Sequence, residues 1–251
     1  MWPSIETLTI HERCDQDVQI AFLKMCPALV HYRRFGGDVC DLSTVPSTLQ
    51  KLEVECCDRL SNLHLNKGLQ YLSLISVEVN DAALVQIVTM CPILVCMVIS
   101  DTDSLTSDSI ALLGNTYSKT MRSLTLKALY TVEHTALEQV CKKCSGLHSL
   151  DISENDQFAA SACEDILNWA PNLHQLEVRC MSISDAALKK IAQSELNTLN
   201  MYETTGYTDE GLFALMEGCK AMQCIYINDK RINSLVKLAW NNKREIKLIF
   251  K

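Results

Sequence analysis

The phrase Val79-Asn-Asp-Ala-Ala-Leu84 recurs in this chain as Ile183-Ser-Asp-Ala-Ala-Leu188 and as Tyr207-Thr-Asp-Glu-Gly-Leu212. A variant, Leu105-Thr-Ser-Asp-Ser-Ile110, keeps the apolar ends and the polar middle. After each phrase, apolar residues continue at intervals of three and four, which is typical of an amphipathic helix. The phrase therefore predicts the start of a helix each time it occurs.

Helix caps are predicted at one polar position of the phrase. Asp and Ser side chains accept hydrogen bonds from the unpaired amides of a first helical turn. The residues expected in this N-cap role are Asp81, Asp185 and Asp209, with Ser107 in the same slot.

The stretch before each phrase also repeats. An apolar residue is followed by a second one three positions on and a third one two positions later, as in Leu69-Leu72-Leu74. From Leu69 onward the starts lie 25, 27, 26, 26, 23 and 26 residues apart. A strand-plus-helix unit of this size cannot bury its apolar face alone, but stacked copies can. The sequence predicts an α/β solenoid of about ten repeats, with parallel strands on the concave face and helices on the convex face.

The predicted organisation is a single domain over residues 1–251. Residues 1–68 form irregular N-terminal repeats, 69–228 regular repeats and 229–251 a C-terminal cap. Within the irregular part, 31–48 is a degenerate unit with Tyr32 as a strand residue, and 49–68 is too short for a full helix. The tail Ile246-Lys-Leu-Ile-Phe250 alternates like one last strand, and Trp240 is expected to help close the core.

Composition excludes several classes of function. The formal net charge of −7 argues against a phosphate-binding surface, so no nucleic-acid partner is expected. No apolar run approaches the length that spans a bilayer, and no signal peptide is visible at the N-terminus, so no membrane partner is expected.

The thirteen cysteines are numerous for a chain of 251 residues. Cys26, Cys91, Cys144 and Cys219 lie at predicted helix ends, two or three residues before a strand. A small apolar residue suits such a corner, so these thiols are expected to be packing residues. Reduced and mostly buried cysteines place the chain in the cytoplasm or nucleus.

These phrases and the cysteine-proline helix ends resemble the cysteine-containing, ribonuclease-inhibitor-like leucine-rich repeats of F-box/LRR proteins. The resemblance covers nearly the whole chain and is closest over 69–228. In that family the repeats recognise substrates for a Skp–cullin–F-box ubiquitin ligase. Cys26, Cys91, Cys144 and Cys219 match the family's helix-end cysteine, and Cys57, Asn155, Thr102 and Thr204 match its polar position after the strand.

The resemblance leaves the function open between three roles. The first repeat strand begins near Ile5, which leaves no room for an F-box before it. The chain is therefore expected either to be a fragment, with a Skp-type adaptor as partner of the missing part, or to bind proteins without recruiting the ligase. A scaffold or assembly factor and an enzyme-inhibiting horseshoe are the alternatives, and an enzyme is the least favoured class.

Candidate chemical sites all have simpler structural explanations. His134, Cys141, Cys144 and His148 have one spacing compatible with zinc, but Cys144 is already a repeat corner. Cys14 near His11 is a weak thiol candidate. Gly36-Gly37 lacks the context of a phosphate loop. We expect no metal, no cofactor and no catalytic residue.

The outward strand residues are the expected partner-binding surface, because residues on a strand alternate between its two faces. They form a mixed row of aromatic, hydroxyl and charged side chains, the types favoured at protein interfaces. We call this row the concave stripe; its predicted contact residues are Tyr71, Lys127, Asp151, Glu177, Arg179, Asn200, Tyr202 and Tyr226.

Overall fold

The computed structural model describes residues 1–12, 14–155, 157–158, 160–228 and 247–250. The strands are β1 Thr7–His11, β2 His31–Phe35, β3 Val39–Asp41, β4 Lys51–Glu55, β5 Arg59–Ser61, β6 Tyr71–Ile75, β7 Cys96–Thr102, β8 Ser123–Leu129, β9 Ser149–Asp151, β10 Gln175–Glu177, β11 Thr198–Asn200, β12 Cys224–Ile227 and β13 Lys247–Phe250. The helices are α1 Gln16–Met25, α2 Asp81–Met90, α3 Ser107–Thr116, α4 His134–Lys143, α5 Ala160–Trp169, α6 Asp185–Ile191 and α7 Asp209–Gly218.

One long parallel sheet runs through the described part of the chain. Its eleven strands follow the order β1-β2-β4-β6-β7-β8-β9-β10-β11-β12-β13, and β3 pairs with β5 in a separate two-stranded sheet. The predicted solenoid is confirmed. The final strand is also confirmed, because β13 pairs in parallel with β12. Trp240 and most of the predicted cap lie outside the described residues. In the described part, no helix is long and apolar enough to cross a membrane.

The core is a stack of apolar residues at the same register on successive strands. Strand pairing aligns one row of buried side chains along the sheet: Tyr32, Leu52, Leu72, Met97, Leu124, Leu150, Leu176, Leu199 and Ile225. Each of these side chains is almost completely removed from water, at an approximate gain of 1.5–3 kcal/mol per large apolar side chain. Each repeat thus depends on its neighbours for a dry core.

Helix ends follow the predicted cysteine positions. Cys26, Cys91, Cys144 and Cys219 are the C-cap residues of α1, α2, α4 and α7. Burial raises the pKa of Cys91 to about 12 and that of Cys144 to about 11. These two thiols therefore stay protonated at neutral pH and act as packing groups.

The predicted N-caps are wrong by one residue. The caps of α2, α6 and α7 are Asn80, Ser184 and Thr208, whose side chains accept from Ala83, Ala187 and Glu210 amides respectively. In each case a polar pair offers two capping residues, and the first one has the extended backbone that a cap requires. Asp81, Asp185, Asp209 and Ser107 instead begin their helices.

Three of these helix-starting residues, Asp81, Asp185 and Ser107, connect successive repeats. Asp81 accepts from the Thr106 amide at 2.9 Å and from the Thr106 hydroxyl at 2.8 Å. Asp185 makes the same pair of bonds with Thr208, at 2.8 and 2.6 Å. Ser107 Oγ accepts from the Glu133 amide at 2.9 Å. The sequence predicted that each of these three residues caps its own helix. Each one is instead hydrogen-bonded to the N-cap residue of the helix in the next repeat.

A left-handed residue lies at one repeat position, at or just beyond the end of the strand. Its φ lies between 50° and 72° at Gly36, Cys56, Ser76, Asp101, Ala128, Glu154, Cys180 and Glu203. For a residue with a Cβ this conformation costs about 1–2 kcal/mol, which the repeated hydrogen bonds offset. The Ser76, Glu154 and Cys180 amides, for example, donate to carbonyls of the following repeat at 3.0–3.1 Å. The chain turns at these residues, which therefore form one polar edge of the sheet.

Residues 36–48 and 56–68 form an outer layer without a helix, which confirms the short unit predicted for 49–68. Here β3 and β5 replace helices, and Asp41 lies buried at their ends. Its carboxylate accepts from the Ser43 amide, Gln16 Nε2 and Asn62 Nδ2 at 2.7–2.8 Å. Burial opposes ionisation of Asp41, but these hydrogen bonds outweigh it and lower the pKa to about 2.

Candidate functional site

Four predicted contact residues form one connected network, three on β9, β10 and β11 and one just beyond the end of β10. Strand register places Asp151, Glu177 and Asn200 side by side. Arg179 bridges the two carboxylates, with Nη2 3.7 Å from Asp151 and Nε 3.3 Å from Glu177. Asn200 Nδ2 donates to the same carboxylate oxygen, Glu177 Oε2, at 2.9 Å. Partly exposed ion pairs contribute only about 0–1 kcal/mol each, so the network fixes side-chain orientation more than it stabilises the fold.

Two tyrosines extend this network. Tyr226 on β12 lies opposite Asn200 in the strand register, and its side chain is half-buried. A hydrogen bond with Cys224 raises the pKa of Tyr226, so the phenol stays neutral. The Tyr202 amide donates to Asn200 Oδ1 at 3.3 Å, which attaches the second tyrosine to the same cluster. An aromatic pair therefore lies next to an oriented charge network.

Two details of the predicted stripe are wrong. Arg179 and Tyr202 do not lie on strands, since β10 ends at Glu177 and β11 at Asn200. The chain is already turning toward the left-handed residues Cys180 and Glu203. Asn200 is only 8% exposed because it is hydrogen-bonded to Glu177, so it orients its neighbour and offers little surface itself.

Tyr71 and Lys127 lie elsewhere along the stripe and do not join the network. Lys127 Nζ is 3.1 Å from Glu154, whose left-handed backbone brings the carboxylate to the sheet edge. Tyr71 lies on β6 with Lys51 Nζ 4.5 Å from its ring centroid, a cation–π distance. Apart from these two residues, β6, β7 and β8 carry small or neutral side chains at the matching positions, among them Ser73, Cys96, Val98, Ser123 and Thr125.

The sequence analysis missed a charged cluster at the other end of the stripe. His31 Nε2 lies 2.6 Å from Glu53, Lys51 Nζ lies 3.1 Å from Glu53, and Arg33 Nη2 lies 2.9 Å from Glu55. Burial opposes the ionisation of Glu53, but hydrogen bonds from His31 and Lys51 outweigh it and lower its pKa. The alternation Lys51-Leu-Glu-Val-Glu55 was the available signal, since it puts three charges on one strand face.

The candidate chemical groups do not form a site. Within the described residues, no three His, Cys, Asp or Glu side chains are arranged to hold a metal ion. His148 stacks on His174 with ring centroids 5.1 Å apart, and Cys144 Sγ lies 3.7 Å from the Tyr117 carbonyl. Gly37 has a φ of 96°, and a Cβ there would lie 2.3 Å from Arg34 Nη2. The glycine therefore gives space to a buried arginine.

Comparison of the whole fold with solved structures gives two informative similarities. A chain of the crystal structure of the Rad7 and Elc1 complex in yeast superposes with a TM-score of 0.54 at 14% identity, covering 100% of this chain and 82% of that one. An internalin from Listeria monocytogenes superposes with a TM-score of 0.53 at 16% identity, covering 98% of this chain and 86% of that one. The chain has a leucine-rich-repeat fold.

By sequence, no family model and no curated protein matches this chain. At 14–16% identity the structural similarities establish the fold and not the chemistry of the stripe. The concave strands and convex helices predicted from the repeat are confirmed.

Proposed function

We propose that this leucine-rich-repeat solenoid binds another protein through the C-terminal half of its concave stripe. The observation that supports this proposal most strongly is the network of Asp151, Arg179, Glu177 and Asn200 beside Tyr202 and Tyr226. Its two carboxylates are held by hydrogen bonds from Asn200 and from the Ser153 amide before a partner arrives, so they lose little side-chain entropy on binding. Tyrosine and arginine are the residues most enriched among interface anchors.

A narrower role follows from the family resemblance. We propose substrate recognition for a Skp–cullin–F-box-type ubiquitin ligase, in the cytoplasm or nucleus. It is supported by the helix-end cysteines Cys26, Cys91, Cys144 and Cys219 and by the fold shared with a chain of a two-protein complex, Rad7 with Elc1. A non-ligase scaffold or an inhibitor horseshoe would use the same surface. A copurifying Skp-type adaptor and cullin would separate the ligase role from these two.

The experiment is differential affinity capture with quantitative mass spectrometry. The tagged wild-type chain is compared with the double variant Tyr202→Ala/Tyr226→Ala and with Phe213→Ala, which removes an exposed aromatic from the outer helix α7. We expect the double variant to weaken partner binding by about 2 kcal/mol, the magnitude of an interface hot spot. Phe213→Ala should retain the partner.

Thermal melting of all three proteins provides the control for folding. The tyrosines are only half-buried, so the double variant is expected to melt close to the wild type. Normal partner recovery by a folded double variant would show that the concave stripe is not the binding surface.

A further inference from the structure

Two open cavities meet at one exposed aromatic residue, beyond the carboxyl ends of the central strands. The first has a volume of about 360 Å³ and includes Val77, Glu78, Asp101, Asp103 and Tyr130 in its lining. The second, of about 470 Å³, lies against the same Tyr130. Its other lining residues include Val132, Glu133 and Phe158. Together they make a groove along the sheet edge, separate from the concave stripe.

Tyr130 stays exposed although its backbone is firmly held. Its side chain is 55% exposed, the largest exposed fraction of any described aromatic residue. On one side, Leu129 N–H donates to the buried amide oxygen of Asn155 at 2.8 Å. On the other, Thr131 Oγ1 donates to the Leu105 carbonyl of the preceding repeat. Because the backbone on both sides of Tyr130 is held, little backbone entropy is lost when a ligand covers the ring.

The charge of the groove has one sign. Glu78, Asp101, Asp103 and Glu133 are in the lining, and none of the described lining residues is Lys or Arg. Asp101 accepts from the neutral Ser100 hydroxyl at 2.7 Å, and Asp103 is 3.3 Å from the Ser104 hydroxyl. Among the ion pairs of the described residues, none includes any of these four carboxylates. The groove therefore has negative charge that a cationic ligand can complement.

We propose that this groove binds an arginine- or lysine-bearing extended segment of a protein partner. The cationic group lies over the Tyr130 ring, where the negative face of the ring attracts it, and the surrounding carboxylates add to that attraction. The aliphatic stem of the same side chain packs against the exposed edge of the Tyr130 ring, since Val77, Val132 and Phe158 are buried beneath the groove. An anionic lipid surface or a nucleic acid would be repelled by the same carboxylates.

Fluorescence anisotropy with a defined probe tests the proposal. The probe is a labelled octapeptide of alternating arginine and alanine, and the matched control probe replaces arginine with glutamate. The wild-type chain should bind the arginine probe and not the glutamate probe. Tyr130→Ala should weaken binding by about tenfold, whereas Tyr130→Phe, which keeps a π face, should stay within about threefold of the wild type.

Two triple variants separate a local site from the general attraction of an acidic protein. Asp101→Asn/Asp103→Asn/Glu133→Gln removes groove charge, and Asp17→Asn/Glu195→Gln/Glu217→Gln removes equal charge from other exposed positions. Only the first should weaken probe binding by about tenfold. The proposal is overturned by equal loss in both triple variants, by unchanged binding to Tyr130→Ala, or by no binding to wild type. The double variant Tyr202→Ala/Tyr226→Ala should bind the probe normally. A failure of the groove proposal can therefore be told apart from a failure of the proposal that the concave stripe binds a partner.

Discussion

Residues 31–68 and 69–228 build the same inner sheet with different outer layers. The left-handed residues at positions 36 and 56 lie in the first region, 20 residues apart, and β3 and β5 form its outer layer. In the second region the repeats lengthen and helices cover the sheet. The buried row passes from Leu52 to Leu72 in register without interruption. The inner strand register therefore does not depend on what covers its outer side.

The concave surfaces of the two regions also differ. In the N-terminal region His31, Arg33 and Lys51 each lie within ion-pair distance of Glu53 or Glu55, so that surface is charge-compensated on its own. In the C-terminal region a single arginine faces two carboxylates, and tyrosines lie beside them. An excess of negative charge next to aromatic surface is better suited to a partner than a compensated cluster. This contrast is the reason that we propose the contact at β9–β12.

The largest expected effect is the loss of core volume. Leu52 and Leu199 occupy the same register, one backed by the outer layer that contains β3 and β5 and the other by helices, and both are fully buried. Leu199→Ala should destabilise the chain by about 3–5 kcal/mol, and Leu52→Ala by about 2–3 kcal/mol, because we expect the layer without a helix to collapse into a cavity more easily than packed helices do. Urea denaturation gives both values. A larger loss of free energy of unfolding for Leu52→Ala than for Leu199→Ala would show that the helical layer is not the stiffer one.

The second effect concerns the polar residue after the strand. Asn155 donates to the Leu126 and Ile152 carbonyls at 2.7 Å each and accepts from the Leu129 amide, all in a buried position. Cys57, at the matching position of the short unit, donates its thiol to the Gly36 carbonyl at 3.1 Å and is hydrogen-bonded to Arg34, but it fills none of the backbone positions that Asn155 satisfies. Asn155→Ala should cost roughly 3 kcal/mol and Cys57→Ala roughly 1 kcal/mol in free energy of unfolding. Equal losses in urea denaturation would contradict the comparison.

The third effect is a pH-dependent stabilisation of the short units by Asp41. The pKa of Asp41 is about 2 in the folded state, below its ordinary value of 3.8, so its contribution is complete above pH 4. It disappears as pH falls from about 4 to 2. At pH 7, Asp41→Asn should lower the free energy of unfolding by about 2 kcal/mol, and the gap should close in acid. A gap that is constant with pH would show that the hydrogen bonds do not depend on the carboxylate charge.

The smallest effect is a difference in thiol reactivity. Seven of the thirteen cysteines are buried, four are partly buried, and Cys56 and Cys180 are exposed. Burial, followed by a hydrogen bond to Glu203 and the negative charge of that carboxylate, raises the pKa of Cys180. Cys56 should therefore react first with a thiol reagent near neutral pH, and Cys180 more slowly. Mass spectrometry of timed labelling reports the order, and rapid native labelling of buried cysteines would contradict the packing role.

The regular repeats were predictable because similar residue types recur at the strand and at the helix start of most repeats. The capping error arose because the pairs Asn80-Asp81, Ser184-Asp185 and Thr208-Asp209 each contain two good capping residues, and only backbone conformation separates them. In the short units the signal is weaker. Arg34 stands in a row that is otherwise apolar, where it is buried and donates to the His11 and Cys14 carbonyls.

The sequence predicted which face of the sheet carries the candidate site, but not how the side chains of the site contact one another. Alternation along the strands put Asp151, Glu177 and Tyr226 on one side, but it could not show that Arg179 lies past its strand and reaches two carboxylates. The groove at Tyr130 depends on left-handed turns at Asp101 and Ala128. Non-glycine residues in these turns carry no distinctive sequence signal.

The most direct test of the account is site-specific photo-crosslinking in cells of origin. A benzophenone-bearing phenylalanine analogue replaces Tyr226 in one protein and Phe35 in another; Phe35 is an exposed aromatic at the end of β2, in the N-terminal region of the sheet. Adducts are counted by mass spectrometry after irradiation. The account predicts a protein adduct from position 226 and none from position 35. An adduct from position 35 without one from position 226 would contradict it.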